Sequence, residues 1–382
     1  MSFSAVRQHC LQLLWRSPLS TRGDDSSLVG DRLRHCWQRA GCGQHHSGSG
    51  GLWVSNACLP DQQGIVDVSR SIGVADSGNR LGAPKSRTVP RRKAASMGHS
   101  SAAGVEERET AGTENDLLIV GAGTLGSLVG QLWQKSFPHS RVVGQTNTTN
   151  SHDRLRSMGI EPVTKAEAKA DEKFPFIIFC APPSQSEDYV AEVRAAASRW
   201  SGTGSLLFTS SSAVFDVPDG GLCHEDAPVI AKGVSPRVDR LLNAEEAVLS
   251  VGGNVVRLAG LYSLKRGPQV FWMNKGPVDQ RPDYAFNVIH YEDAADLCIV
   301  IMQKTTRGRV FVGCDGSPVT TQALMDAVLR AGAVEGEFGG FVRKEGPAGK
   351  RMQNDTTREF LGWKPKYPSS ISYIEGSLKV AR

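Results

Sequence analysis

Asp116-Leu117-Leu118-Ile119-Val120 runs straight into Gly121-Ala122-Gly123-Thr124-Leu125-Gly126. Glycines at this spacing suit one piece of chemistry, the holding of a diphosphate. Gly121 permits a tight turn, Gly123 leaves room for backbone to approach the phosphates, and Gly126 lets the next helix lie close to the strand. The start of that helix offers amide N–H groups and the positive end of its dipole. Leu125, Leu128, Val129 and Leu132 recur at helical spacing, so the glycines fall at a strand-to-helix turn. Gly121, Gly123, Thr124, Leu125 and Gly126 are therefore the expected contacts of a nicotinamide dinucleotide.

A carboxylate that takes the ribose 2′-hydroxyl of NAD is expected about 20 residues beyond such a turn. The second apolar run is Arg141-Val142-Val143-Gly144-Gln145-Thr146-Asn147, and it contains no acid. Gln145, Thr146 and Asn147 occupy the place. With no carboxylate to repel a 2′-phosphate, NADP is favoured over NAD, and Arg154 is the candidate cation to meet it.

These groups need a scaffold, and the sequence alternates accordingly. Phe176 to Ala181 reads as a buried strand stopped by Pro182 and Pro183. Val190, Val193, Ala197 and Trp200 mark a helical face, and Ser205 to Ser210 a further strand. Val238, Leu241, Leu242, Ala244 and Val248 mark another helix, and Asn254 to Ala259 another strand. Strands alternating with helices predict a Rossmann-type α/β fold, a doubly wound parallel sheet. A small C-terminal lobe is expected mainly from residues 262–382. There Thr320 or Thr321 would cap a helix, and Trp363 reads as a packing anchor.

The composition changes near residue 115. Residues 1–100 carry thirteen Lys/Arg against six Asp, and no Glu precedes Glu106. The whole chain of 382 residues has a net charge of +5, so its basic character belongs to this leader and the body is close to neutral. Residues 1–112 are read as a disordered leader with the acid-poor, Arg- and Ser-rich chemistry of an organelle transit peptide, plastid before mitochondrion. Residues 113–382 form the folded part. A near-neutral body speaks against nucleic acid as a partner, because phosphate contacts need clustered cations. Leader residues His9, Cys10, His35, Cys36, Cys42, His45 and His46 fit no closed tetrahedral spacing, so no metal is assigned. Cys180 and Cys298 lie in apolar runs and read as buried thiols. No apolar run approaches the ~18 residues of a membrane span.

The ordered stretches GAGTLG, IIFCAPP, LLFTSSSAVF, NVVRLAGLYS, FNVIHYEDAADL and REFLGWKPKYPSSISYIEG resemble the atypical, extended branch of the short-chain dehydrogenase/reductase superfamily, and its NAD(P)-binding epimerase/dehydratase-like proteins in particular. The resemblance spans nearly all of residues 115–382. It implies that Ala181, Pro182 and Pro183 flank the adenosine half of the cofactor, and that Ser210 and Ser211 lie beside the nicotinamide. Leu261 and Tyr262 would close over it, with Arg266 and His290 near the pocket of an unidentified small-molecule substrate. It also implies a monomer or homodimer.

Enzymes of this family use a Tyr four residues before a Lys, the Lys lowering the phenol's pKa so that Tyr can pass a proton while hydride moves. Here Pro236 takes the Tyr place and Arg240 the Lys place. Proline has no titratable proton, and a fixed guanidinium cannot tune a neighbour as Lys does. Arg240 could still hold the ribose. The remaining candidates for proton chemistry are Ser211, Tyr262 and His290, with His290 best suited by its near-neutral ordinary pKa. Each has a plainer structural role open to it: strand-end capping for Ser211, and hydrogen-bonded anchoring for His290. Asp293 and Asp296 are expected to be capping or surface groups, and His224-Glu225-Asp226 a solvent-facing loop. The functions that follow are an NADP-dependent oxidoreductase or epimerase/dehydratase-like enzyme with an unusual proton donor, or a catalytically inactive sensor or assembly factor that binds the dinucleotide in the plastid.

Overall fold

A computed structural model describes residues 113–377, and the leader lies outside them. The strands are β1 (Leu117–Val120), β2 (Val142–Thr146), β3 (Glu161–Thr164), β4 (Phe174–Phe179), β5 (Trp200–Ser211), β6 (Asp219–Cys223), β7 (Asn254–Leu258), β8 (Gly260–Tyr262), β9 (Ala285–Phe286), β10 (Val288–His290), β11 (Val310–Gly313), β12 (Val319–Thr320) and β13 (Gly349–Met352). The helices are α1 (Thr124–Ser136), α2 (His152–Ser157), α3 (Tyr189–Ser198), α4 (Pro236–Leu249), α5 (Pro268–Asn274), α6 (Tyr291–Gln303), α7 (Thr321–Ala331), α8 (Asp355–Leu361) and α9 (Ser370–Gly376).

Seven strands form a parallel sheet in the order β11-β7-β5-β4-β1-β2-β3. The chain winds outward from β1 through β2 and β3, then crosses back to β4 and winds the other way. That reversal leaves a crevice at the carboxyl ends of β1 and β4, where open α/β sheets take their ligands. The alternation of side chains along β1 explains the two layers of helices. Leu117 and Ile119 enter one core with Val129 and Trp133 of α1 and with the apolar face of α6. Leu118 and Val120 enter the other with Val193 of α3 and Leu241 and Val248 of α4. A strand buried on both faces must be apolar throughout, as β1 is.

Trp200 departs from the sequence expectation, for α3 ends at Ser198 and Trp200 opens β5. The short β3 was not read from sequence, since Glu161-Pro162-Val163-Thr164 has no apolar run to betray an edge strand.

The lobe is interleaved with the sheet domain. A four-stranded sheet, β12-β9-β13-β6, takes β6 from the middle of the chain, while α6 and β11 return to the main layers. Its own core gathers Tyr262, Trp272, Met273, Phe286, Leu324, Val328 and Ile374. Thr320 caps α7 by accepting from the Ala323 amide at 3.0 Å.

Candidate functional site

Gly121 adopts φ +88°, in the left-handed region that favours glycine. Its amide and that of Ala122 both donate to the Gln145 carbonyl, at 3.0 and 3.2 Å, which folds the turn against the end of β2. A Cβ on Gly121 would lie 2.4 Å from the Ala181 backbone nitrogen, and one on Gly126 would lie 2.8 Å from Ile119 Cγ2. The turn, the end of β4 and the first turn of α1 thus meet at a separation that side chains would prevent. Gly123 is the N-cap of α1, and the Ser127 amide is the first to bond back to it, at 3.0 Å. The amides of Thr124, Leu125 and Gly126 therefore open at the helix mouth, as the first amides of any helix do. Leu125 buries its side chain and can contribute only backbone there.

At the end of β2 the residues divide. Gln145 turns its side chain away, accepting from Arg199 Nη1 at 3.2 Å, and serves the turn through its carbonyl. The Thr146 hydroxyl stays local, bonded to the Thr148 carbonyl at 2.9 Å and to His152 Nε2 at 2.9 Å. Asn147 is exposed just beyond. Arg154 on α2 bonds the Ser127 hydroxyl at 3.1 Å, which sets an exposed guanidinium beside the first turn of α1.

On the other side of the crevice, Ser235 caps α4 and Pro236 occupies its first position. Pro236 and Arg240 lie one turn apart on the exposed face, and Arg240 Nη1 reaches the Pro183 carbonyl at 3.4 Å. The opposite face of α4 carries Glu245, 3 % exposed. Its carboxylate accepts from the Ser210 hydroxyl at 2.5 Å and from Arg257 Nη2 at 2.7 Å. Ser210 is therefore part of a buried network tying α4 to β5 and β7. Ser211 is half-buried and accepts from the Ala213 amide at 3.2 Å, capping the short 3-10 turn Ser212–Val214.

No protein-family model matches this chain, and no curated protein sequence matches it either. Solved structures do. A functionally unknown conserved protein from Silicibacter pomeroyi is 24 % identical, with 70 % of this chain and 98 % of that chain covered and a TM-score of 0.56. dTDP-glucose 4,6-dehydratase from Bacillus anthracis, solved in complex with NAD, is 14 % identical, with 69 % and 95 % covered and a TM-score of 0.55. UDP-glucuronic acid 4-epimerase from Bacillus cereus, also with NAD, is 13 % identical, with 70 % and 99 % covered and a TM-score of 0.55. The chain shares with these structures a Rossmann-type α/β fold built on a parallel central sheet. In this fold the glycine turn and the ends of β2, β4 and β5 lie along one edge of the sheet, and Arg240 of α4 reaches the segment after β4.

The structure brings Tyr262 and His290 together, as the ends of the paired strands β8 and β10, with ring centroids 5.3 Å apart. Tyr373 stands 4.6 Å and Tyr367 4.2 Å from the His290 ring, so the C-terminal segment encloses it. His290 Nδ1 accepts from the Glu292 amide at 3.3 Å and caps α6. Its Nε2 is buried with no hydrogen-bond partner among the described residues. Burial holds the ring's pKa below its ordinary value, which keeps it neutral, and burial likewise raises the Tyr262 phenol. Tyr262 belongs to the lobe core. Arg266 donates to the Tyr291 hydroxyl at 3.0 Å.

Asp293 and Glu225, expected as a capping or surface group and in a solvent-facing loop, are instead anchors, while Asp296 is exposed as expected and still holds a distant partner. Asp293, almost fully buried, accepts from the amides of Lys366 at 2.8 Å and Tyr367 at 2.9 Å. Asp296 accepts from the Trp363 indole at 2.8 Å. Glu225 accepts from the Thr357 amide at 2.9 Å and hydroxyl at 2.6 Å, holding α8 to the loop after β6. Their partners lie 67 to 132 residues away, a separation that no local pattern reveals.

Two further groups escaped the sequence. Asp315, after β11, is 2 % exposed, and burial pushes its carboxyl up to about 7. Lys350 on β13 is 9 % exposed and bonds the segment after β5. Cys180, Cys223, Cys298 and Cys314 are free, and burial raises each thiol. Among the described residues no group of side chains could hold a metal ion, and no helix is long and apolar enough to cross a membrane.

Proposed function

We propose that the protein binds a nicotinamide dinucleotide along the carboxyl edge of β2, β1, β4 and β5 and acts as an NAD(P)-dependent oxidoreductase or epimerase/dehydratase-like enzyme. The observation that carries this reading is the Gly121 turn. It packs its backbone against Ala181 and leaves the mouth of α1 open beside it. A diphosphate fits that cradle, and the bound nicotinamide would supply hydride chemistry. The acid-free end of β2 and the guanidinium of Arg154 favour NADP. The proton donor is not at position 236, where proline stands, and Arg240 serves the ribose side by position and charge only. Ser211, at the end of β5, would hydrogen-bond a substrate oxygen.

A second reading, binding without turnover, is favoured by one observation: Pro236 removes the acid while His290 and Tyr262 are enclosed by the lobe. The protein would then be a redox sensor or assembly factor. The acid-poor, basic leader supports action in the plastid.

Titration of the full-length protein with NADPH and NADH, followed by energy transfer from tryptophan, tests binding. Turnover is tested next with a panel of sugar nucleotides and small carbonyl compounds. Saturable NADPH binding with hydride transfer to one of these supports the enzyme, saturable binding with an inert panel supports the sensor, and failure to bind either cofactor overturns both.

A further inference from the structure

Lys350 belongs to the lobe strand β13, yet its ammonium serves the sheet domain. It donates to the Phe215 carbonyl at 2.7 Å and to the Ser212 carbonyl at 3.1 Å. Those carbonyls lie at the two ends of the 3-10 turn that Ser211 caps. Burying a lysine is costly unless its protons are bonded, so this side chain is not where packing alone would put it.

Its own backbone is pinned on both sides. Asn287 donates through Nδ2 to the Lys350 carbonyl at 2.8 Å and accepts through Oδ1 from the Met352 amide at 2.9 Å. The Phe215 ring also meets two cations, with Arg257 4.8 Å and Lys350 Nζ 5.9 Å from its centroid. The turn after β5 is thus contacted by a cation of the sheet domain and bonded by a cation of the lobe.

A dinucleotide that crosses this sheet edge with its pyrophosphate at the β1 turn puts its adenosine ribose at β2 and its other half over β4 and β5. We propose that Lys350 is the positioning residue through which the lobe shapes the nicotinamide half of the site, by fixing the Ser211–Phe215 turn. This rests on the dinucleotide reading given under Proposed function. Neither position of the usual Tyr–Lys pair offers a titratable group here, and Arg240 engages the Pro183 carbonyl on the other strand end. The lobe's ammonium replaces neither residue chemically; it fixes the backbone on which Ser211 sits. The adenosine half should then be indifferent to Lys350, and the whole dinucleotide should not be.

Full-length wild type, Lys350→Met and Lys350→Arg are titrated with NADPH and, separately, with 2′,5′-ADP as a probe of the adenosine half. The expected result is NADPH affinity lowered about tenfold in Lys350→Met, with 2′,5′-ADP affinity held within about twofold and partial recovery in Lys350→Arg. Equal weakening of both ligands, or of neither, overturns the proposal. Wild type that binds neither ligand instead overturns the dinucleotide reading, and this one with it. Should Lys350→Met fail to fold, Lys350→Gln, which keeps an N–H donor without the charge, is judged by the same split between the two ligands.

Discussion

Glu245 and Arg257 form an ion pair at 2.7 Å with both side chains almost wholly removed from solvent, and the Ser210 hydroxyl completes it. The pair joins α4 to β7. Removing one partner leaves the other charge buried and unpaired, which costs about 3–5 kcal/mol. Glu245→Ala should therefore lower the thermal midpoint by roughly 6–20 °C or abolish folding, as read by circular dichroism. A midpoint within a few degrees of wild type would show that the network is dispensable.

Gly121→Ala should also be costly, by roughly 2–4 kcal/mol. The added methyl meets Ala181 backbone rather than a movable side chain, and the φ of +88° is unfavourable for alanine. Denaturant unfolding checks this, and a loss below about 1 kcal/mol would mean the turn relaxes freely.

Asp315 gives a dependence on pH with a definite sign. Its pKa is raised on folding, to about 7, chiefly because burial disfavours the charge. Ser317 donates to it at 2.9 Å, and Arg358 partly offsets the burial, while Asp293 adds to it. An acid of this kind binds its proton more tightly when folded, so its stabilising share is whole below about pH 4 and fades as pH climbs through about 7. Asp315→Asn keeps the shape without the titration. The stability difference, mutant minus wild type, should grow in the mutant's favour across that window, by up to about 4 kcal/mol. A difference independent of pH would show that the group does not titrate there.

Arg154 should choose between cofactors. Arg154→Glu is expected to weaken NADPH binding by about tenfold or more and to leave NADH within about twofold, because only the 2′-phosphate meets the new charge. Titration of both cofactors decides it, and equal effects on the two would remove Arg154 from this role.

The glycine turn, the buried strands and the C-terminal edge were legible in the sequence because their causes are local. Gly121 to Gly126 sit between an apolar strand and a periodic helix, and of the two caps the sequence offered, Thr320 and Thr321, the structure takes Thr320. Asp293, Glu225 and Lys350 were not legible, since each is defined by a partner brought near only when the lobe folds back. His290 was legible as chemistry but not as environment: its ring is the right type for proton transfer, yet Tyr367 and Tyr373, far along the chain, decide that it is enclosed.

NADPH titration of wild type beside Gly123→Trp, both full-length, tests the phosphate cradle most directly. Gly123 caps α1 at the phosphate cradle, so an indole there should fill the mouth and lower affinity by about a hundredfold or more, with the thermal midpoint little changed. Superimposable binding curves for the two proteins would contradict it.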